Sequence, residues 1–122
     1  MGRPLDIIEP GRLAELQQLD AAEPGFLAQV IGLFRSIGPA RLATIEAALA
    51  ATDMASARQA AHALRSSAAS VGGHALQRTC ARLEAAASAG RVVEVEALLE
   101  QARGEYQALL AALDQLAGPP SG

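Results

Sequence analysis

The sequence predicts an all-α protein, an antiparallel up-and-down four-helix bundle with an additional short N-terminal helix. Three observations predict it. The apolar half of the chain (51%) is mostly Ala and Leu, and Phe26, Phe34 and Tyr106 are its whole aromatic complement. Ala and Leu favour helices, whereas β-branched and aromatic residues favour strands. Apolar positions recur at alternating steps of three and four, the period of a helix face. Short Gly-marked breaks separate these periodic stretches, and short connections between long helices make neighbours antiparallel.

The first helix is short, residues 10–18, with Leu13 and Leu16 turned inward. The second begins near Glu23-Pro24, since Pro is tolerated in a first helical turn. Its apolar positions are Phe26, Val30, Leu33, Phe34 and Ile37, then Leu42, Ile45 and Leu49. Gly38-Pro39 interrupts the pattern, but the phase resumes after it, so a kinked single helix is expected. Thr52-Asp53 supplies an N-cap for the third helix. Its stripe, Met54, Ala57, Ala61, Leu64, Ala68 and Val71, steps by 3, 4, 3, 4, 3. Gly72-Gly73 ends it, because glycine accepts a left-handed cap. The fourth helix carries Leu76, Cys80, Leu83 and Ala87 and stops at Gly90. The fifth carries Val92, Val95, Leu99, Ala102, Tyr106, Leu109, Leu113 and Leu116, with Gly104 as a weak point.

The 122 residues fit one compact domain, which the periodicity sets at residues 1–117. Gly118-Pro119-Pro120-Ser121-Gly122 cannot continue a helix and is expected to be a disordered tail, or equally the start of a linker in a longer chain. The net charge is −3, and all ten basic residues are Arg, scattered among the acidic ones. Without a basic run or interleaved aromatics, nucleic-acid binding has little support. No apolar stretch reaches the roughly 18 residues that span a bilayer. The opening MGRPLDIIEP lacks the features of a secretory signal. Cys80 is alone and has no internal disulfide partner. A cytoplasmic monomer is the expectation.

The chemistry points to the third helix. At about 100° per residue, His62 lies roughly 130° from the centre of the apolar stripe, on the exposed side. Residues three and four away share its face. These are Arg58 and Gln59 before it and Arg65 and Ser66 after it, with the small Ala55 and Ala69 one turn further. An imidazole is largely neutral at pH 7, so a ring nitrogen can act as a nucleophile. A phosphoryl group placed on it would be dianionic, and Arg58 or Arg65 could stabilise it by charge-assisted hydrogen bonds. Ser66 and Ala69 would leave room for a partner's active site. Taken alone, a surface histidine on a helix is most often a solvated polar residue, and arginine at i+3 is equally ordinary.

The segment Ala61-His62-Ala63-Leu64-Arg65-Ser66-Ser67-Ala68-Ala69-Ser70-Val71-Gly72-Gly73 changes that weighting. It resembles the phosphorylation motif of histidine-containing phosphotransfer (HPt) domains, loosely H-x-L-K-G/S-S-S/A-x-x-h-G-A with h apolar. Downstream, Leu76, Cys80 and Leu83-Glu84 match that family's L-x-x-x-C-x-x-L-E pattern. Phe34 and the stretch ending at Asp53 resemble the helix and turn before the histidine helix. The likeness covers residues 26–90 well and the flanks more loosely. Two departures stand out. Arg65 takes the place of a lysine, a planar fork instead of a point charge, and Ser66 takes the place of a frequent glycine.

The resemblance implies that His62 receives a phosphoryl group from the aspartyl phosphate of one receiver domain, such as that of a hybrid sensor histidine kinase. It then passes the group to the receiver of a response regulator. It also implies that the receiver supplies Mg²⁺ and most of the catalytic groups, so that this chain is a phosphocarrier with no kinase activity and no cofactor of its own. The residues agree: the sequence has no phosphate-cradling Gly-rich loop and no metal cluster.

The other candidates carry less. His74 reads as an exposed helix-start residue, and no His-rich or Cys-rich company suggests zinc. Cys80 falls on an apolar stripe and reads as core. Gln59 can line the docking face or simply be solvated. Arg78 and Arg82, and Glu94, Glu96, Glu100 and Glu105, read as solvated charge. Two alternatives remain. One is a non-catalytic helical interaction module in which His62 is incidental. The other is a histidine kinase core, for which the chain lacks an ATP-binding domain.

Overall fold

In a computed structural model, which describes residues 7–117, the described residues include five helices and no strand. They are α1 (Pro10–Ala22), α2 (Phe26–Ala50), α3 (Met54–Ser70), α4 (His74–Ser88) and α5 (Val92–Ala117). The expected tail at residues 118–122 lies outside the described residues. Each of α2 to α5 packs on two others, in the closed order α2, α3, α4, α5 and back to α2, and α1 leans on α2. No helix of the described residues is long and apolar enough to cross a membrane.

Local chemistry sets the helix ends. The Glu9 carboxylate accepts from Gly11 N and Arg12 N at the start of α1, with Pro10 in its first turn. These two bonds hold the Glu9 carboxyl below the ordinary carboxylate range. The helix runs to Ala22, four residues past its expected end, because no breaker precedes Glu23-Pro24-Gly25. That trio is a turn and not the first turn of α2. Gly25, at φ 96°, takes the left-handed conformation that lets the chain reverse before Phe26. Asp53 caps α3 as expected, accepting from Ser56 N at 3.1 Å and from the Ser56 hydroxyl at 2.6 Å.

The buried stripe of α2 is Leu27, Ile31, Phe34, Gly38, Leu42, Ile45 and Ala48. The expected inward positions Phe26 and Val30 sit instead on its flank, packed against the core only in part, and Ile37 is half-buried. Leu33 is 62% exposed. The phase is set by Gly38, which lies under the Tyr106 ring; a Cβ there would overlap the ring carbons. Gly38-Pro39 therefore does not divide the helix. Pro39 has no N–H to give the carbonyl of Arg35. The Tyr106 hydroxyl lies over this break, donating its one proton to Phe34 O at 2.9 Å, with Arg35 O as the more distant acceptor at 3.3 Å.

The inner face of α3 is nearly all alanine: Ala57, Ala60, Ala61 and Ala68 are buried around Leu64. Small side chains let neighbouring axes approach closely, so α4 lies tight against α3. Gly72, at φ 72°, reverses the chain between them. The segment before α1 closes this end of the molecule: Ile8 is buried, Glu9 N donates to Gly72 O at 2.8 Å, and Arg12 Nε donates to Ser70 O at 2.8 Å.

Candidate functional site

His62 stands in the middle of α3, on the face opposite Ala61, Leu64 and Ala68, and its side chain is 57% exposed. Continuous helix on both sides fixes its backbone. What fixes the ring comes from α4. Glu84 Oε1 lies 2.9 Å from His62 Nδ1, and the Glu84 side chain is only 18% exposed. Arg65, one turn further along α3, completes a triad. Its Nη2 is 3.1 Å from the same Nδ1, and its Nε is 2.7 Å from Glu84 Oε2. The Arg65 N–H is not aimed along that second contact, so the two charges form a close ion pair while the buried Oε2 receives no hydrogen bond.

Both neighbours meet one nitrogen, and their demands differ. A carboxylate only accepts, so the Glu84 contact is a hydrogen bond when Nδ1 carries the proton. A guanidinium only donates, so the Arg65 contact is one when Nδ1 carries the lone pair. Glu84 is the nearer and the more buried partner, and a hydrogen bond to a carboxylate is charge-assisted. The Nδ1–H tautomer is therefore favoured, which leaves the lone pair on Nε2. Among the described residues no protein group hydrogen-bonds Nε2. An oriented imidazole with a free ring nitrogen facing solvent is a ready nucleophile.

The remaining sequence candidates separate. Arg58 and Gln59, one turn before His62, are exposed and make no side-chain hydrogen bond or ion pair among the described residues. Ser66 and Ala69 are exposed on the His62 face; the Ser66 carbonyl accepts from the Ser70 hydroxyl at 3.1 Å, a bond within the helix. Of the two arginines proposed from the wheel, the structure brings only Arg65 to the ring. Beside α3, Val30, Leu33, Phe34, Ile37, Ser67 and Val71 line a shallow apolar groove of about 260 Å³.

His74 is exposed at the start of α4, and Cys80 is wholly buried, with its thiol pushed up to about 12 by burial. Glu105 departs from the expected solvated face: it is half-buried, and its Oε1 has no hydrogen-bond partner. The residue that sequence reasoning missed is Glu84, noted only as part of a pattern. Its signal was positional. It lies about 40° from Cys80 around α4, at the edge of a buried stripe, where a carboxylate needs a partner.

The family model described as the Hpt domain matches residues 29–118. Among solved structures, the chain is similar to histidine-containing phosphotransfer protein B (HptB) from Pseudomonas aeruginosa PAO1. The TM-score is 0.83 at 26% sequence identity, covering 92% of this chain and 95% of that one. No curated protein sequence matches the chain.

Proposed function

The chain belongs to the Hpt domain family, and we propose that its phosphoacceptor is the Nε2 atom of His62. Its role is histidine phosphotransfer in a phosphorelay. The observation that carries the residue assignment is the Glu84–His62–Arg65 triad, which orients the imidazole and leaves Nε2 free.

In this reading Nε2 attacks the phosphorus of an aspartyl phosphate in line, and the aspartate carboxylate leaves. Arg65, half-exposed beside the ring, turns from Glu84 to the transferred dianion, and Arg58 is the second cation within one helical turn. Ser66, Ala69 and Gln59 form the surface that the receiver approaches. The groove around Leu33 gives the partner an apolar foothold two turns along α3. Hpt domains interact with receiver domains of response regulators and hybrid kinases, and both are the proposed partners here. Mg²⁺ belongs to the receiver, so this chain needs no cofactor and acts as a carrier without kinase activity. The closed order of helix packing and the short turns support an antiparallel up-and-down bundle preceded by a short helix. A cytoplasmic monomer with its bundle within residues 1–117 completes the proposal.

The test is to phosphorylate receiver domains of the source organism, mix each with this chain and follow the phosphoryl group. The label should appear on the wild type, be lost in acid and survive base, as a phosphoramidate does. It should be absent from His62→Gln. Labelling that persists in that variant, or a wild type that no receiver labels, overturns the assignment in favour of an interaction module.

A further inference from the structure

The arginines of this chain are unevenly engaged. Arg12, Arg35, Arg65, Arg91 and Arg103 are held in ion pairs. Arg41, Arg58, Arg78 and Arg82 are exposed and make no side-chain hydrogen bond or ion pair among the described residues. Arg41 belongs to α2, so the helical wheel of His62 does not show it. Its place follows from its neighbours. Arg35 and Glu46 mark the side of α2 that faces α5, where they pair with Asp114 and Arg103. Arg41 lies about 140° from Glu46 and about 40° from Ile37 around the helix. It therefore falls on the other side, where Ile37 and Ser67 line the groove between α2 and α3. In the antiparallel pairing proposed above, one turn on from Ile37 along α2 is one turn back from Ser67 along α3. That brings Arg41 level with Ala63, the residue after His62.

Arg41 and Arg58 thus flank the acceptor from two helices, both without a counter-ion, beside Arg65. The carboxylates nearby are committed. Helix α3 has no acidic residue from Met54 to Ser70. Asp53 caps its start, Glu84 meets Arg65 and the ring, and Glu46 is paired with Arg103. The acidic residues collect on α5, diagonal to α3 in the packing order: Glu94, Glu96, Glu100, Glu105 and Asp114, with Arg103 as its one cation. Arg78 and Arg82 share a face of α4, and Arg78 lines a pocket with Glu9 and Glu105, whose charges offset it. The chain is −3 overall, yet cationic where it carries His62.

We propose that this separation of charge is a docking device: the His62 face selects receivers with an acidic docking surface, and Arg41 is a specificity-determining residue on it. The proposal rests on the reading of His62 as the acceptor. An acidic partner is repelled by the net charge and by α5, and is attracted by the face with Arg41 and Arg58, so the encounter is oriented before contact. Exposed charges at the edge of an interface act mainly on association rate and partner choice, and salt screens them. The apolar groove beside them has no preference of sign, so the discrimination belongs to the arginines.

The test takes the receiver domains of the source organism that label the wild type, phosphorylates them and follows transfer to the full chain by rapid quench from low to high salt. The second-order rate should fall about tenfold or more across that range. Arg41→Glu should lower the low-salt rate about tenfold and flatten its salt dependence, most for the most acidic receiver, with the rate at saturating receiver unchanged. Arg41→Lys should behave as the wild type. Arg78→Glu makes the same change in net charge beside α5, and should stay within about twofold of the wild type. A wild-type rate indifferent to salt, an Arg41→Glu rate equal to wild type, or an equal loss in Arg78→Glu overturns the inference alone. Potassium phosphoramidate, a donor too small to dock, separates the two readings in a His74→Gln background. Arg41→Glu should be labelled like its parent, and a loss there overturns the docking role, because Arg41 would then act at the ring. A parent that takes no phosphoryl group on His62 overturns the acceptor reading itself.

Discussion

The two histidines of this chain are both exposed, and each has a glutamate nearby, yet their surroundings differ in kind. At His62 the carboxylate comes from a neighbouring helix, is largely buried and is aimed at Nδ1. At His74 the nearby carboxylate is Glu9, and it is already committed: both oxygens accept from backbone N–H groups at the start of α1. The influence of His74 on Glu9 is only the weakest of the causes acting on that carboxyl. Exposure and a nearby charge are therefore common to both histidines. What sets His62 apart is a carboxylate oxygen from another helix aimed at the ring, which favours one tautomer and holds the plane.

Substitutions can break or sharpen that contrast. His62→Gln should lose all transfer from a phosphorylated receiver while circular dichroism still reports a folded helical protein. Ser66→Gln should come next, blocking receiver transfer by bulk on the docking face. Because the position is exposed, its unfolding free energy should change by no more than about 0.5 kcal/mol in denaturant titration. Retained transfer in that variant would place the docking face elsewhere. Arg65→Ala should shorten the lifetime of the phosphorylated form several-fold, and an unchanged lifetime would point to Arg58 or to the receiver's own groups.

Glu9→Gln concerns the other histidine's neighbourhood. The Glu9 carboxyl is lowered in the folded state, so its contribution to stability is present above its ordinary value of 4.5 and is lost as pH falls through the lower folded value. Thermal melts of the variant should thus differ from wild type at neutral pH and converge with it in acid. The smallest effect belongs to His74→Gln, which should be labelled like the wild type. A loss there equal to that of His62→Gln would erase the contrast.

Much of this was legible in the residues. The 3 and 4 spacing located all five helices, and Asp53, Gly72 and Gly90 marked their limits because capping is local chemistry. The phase of α2 was not legible. Phe26-Leu27 and Val30-Ile31 are apolar pairs, so either member satisfies the period, and the choice depends on where Tyr106 meets Gly38 from another helix. His62 and its exposure could be read from one helical wheel. Glu84 could not be given its role in that way, since the pairing joins positions 22 residues apart on two helices. The same limit explains Arg58: spacing offered two arginines, and only the packing of α4 distinguishes the one that reaches Glu84.

The contact between Tyr106 and the backbone around Pro39 also gives the molecule a built-in optical probe. The chain has one tyrosine and no tryptophan, so its near-ultraviolet signal comes almost wholly from a ring packed against Phe34, centroids 5.0 Å apart, in the middle of the bundle. Burial raises the ionisation of its phenol above the ordinary value of 10.0. In alkaline solution the unfolded chain therefore turns into tyrosinate before the folded one does. A rapid pH jump followed by absorbance would time the opening of the bundle at the point where α2 and α5 meet, with no label attached.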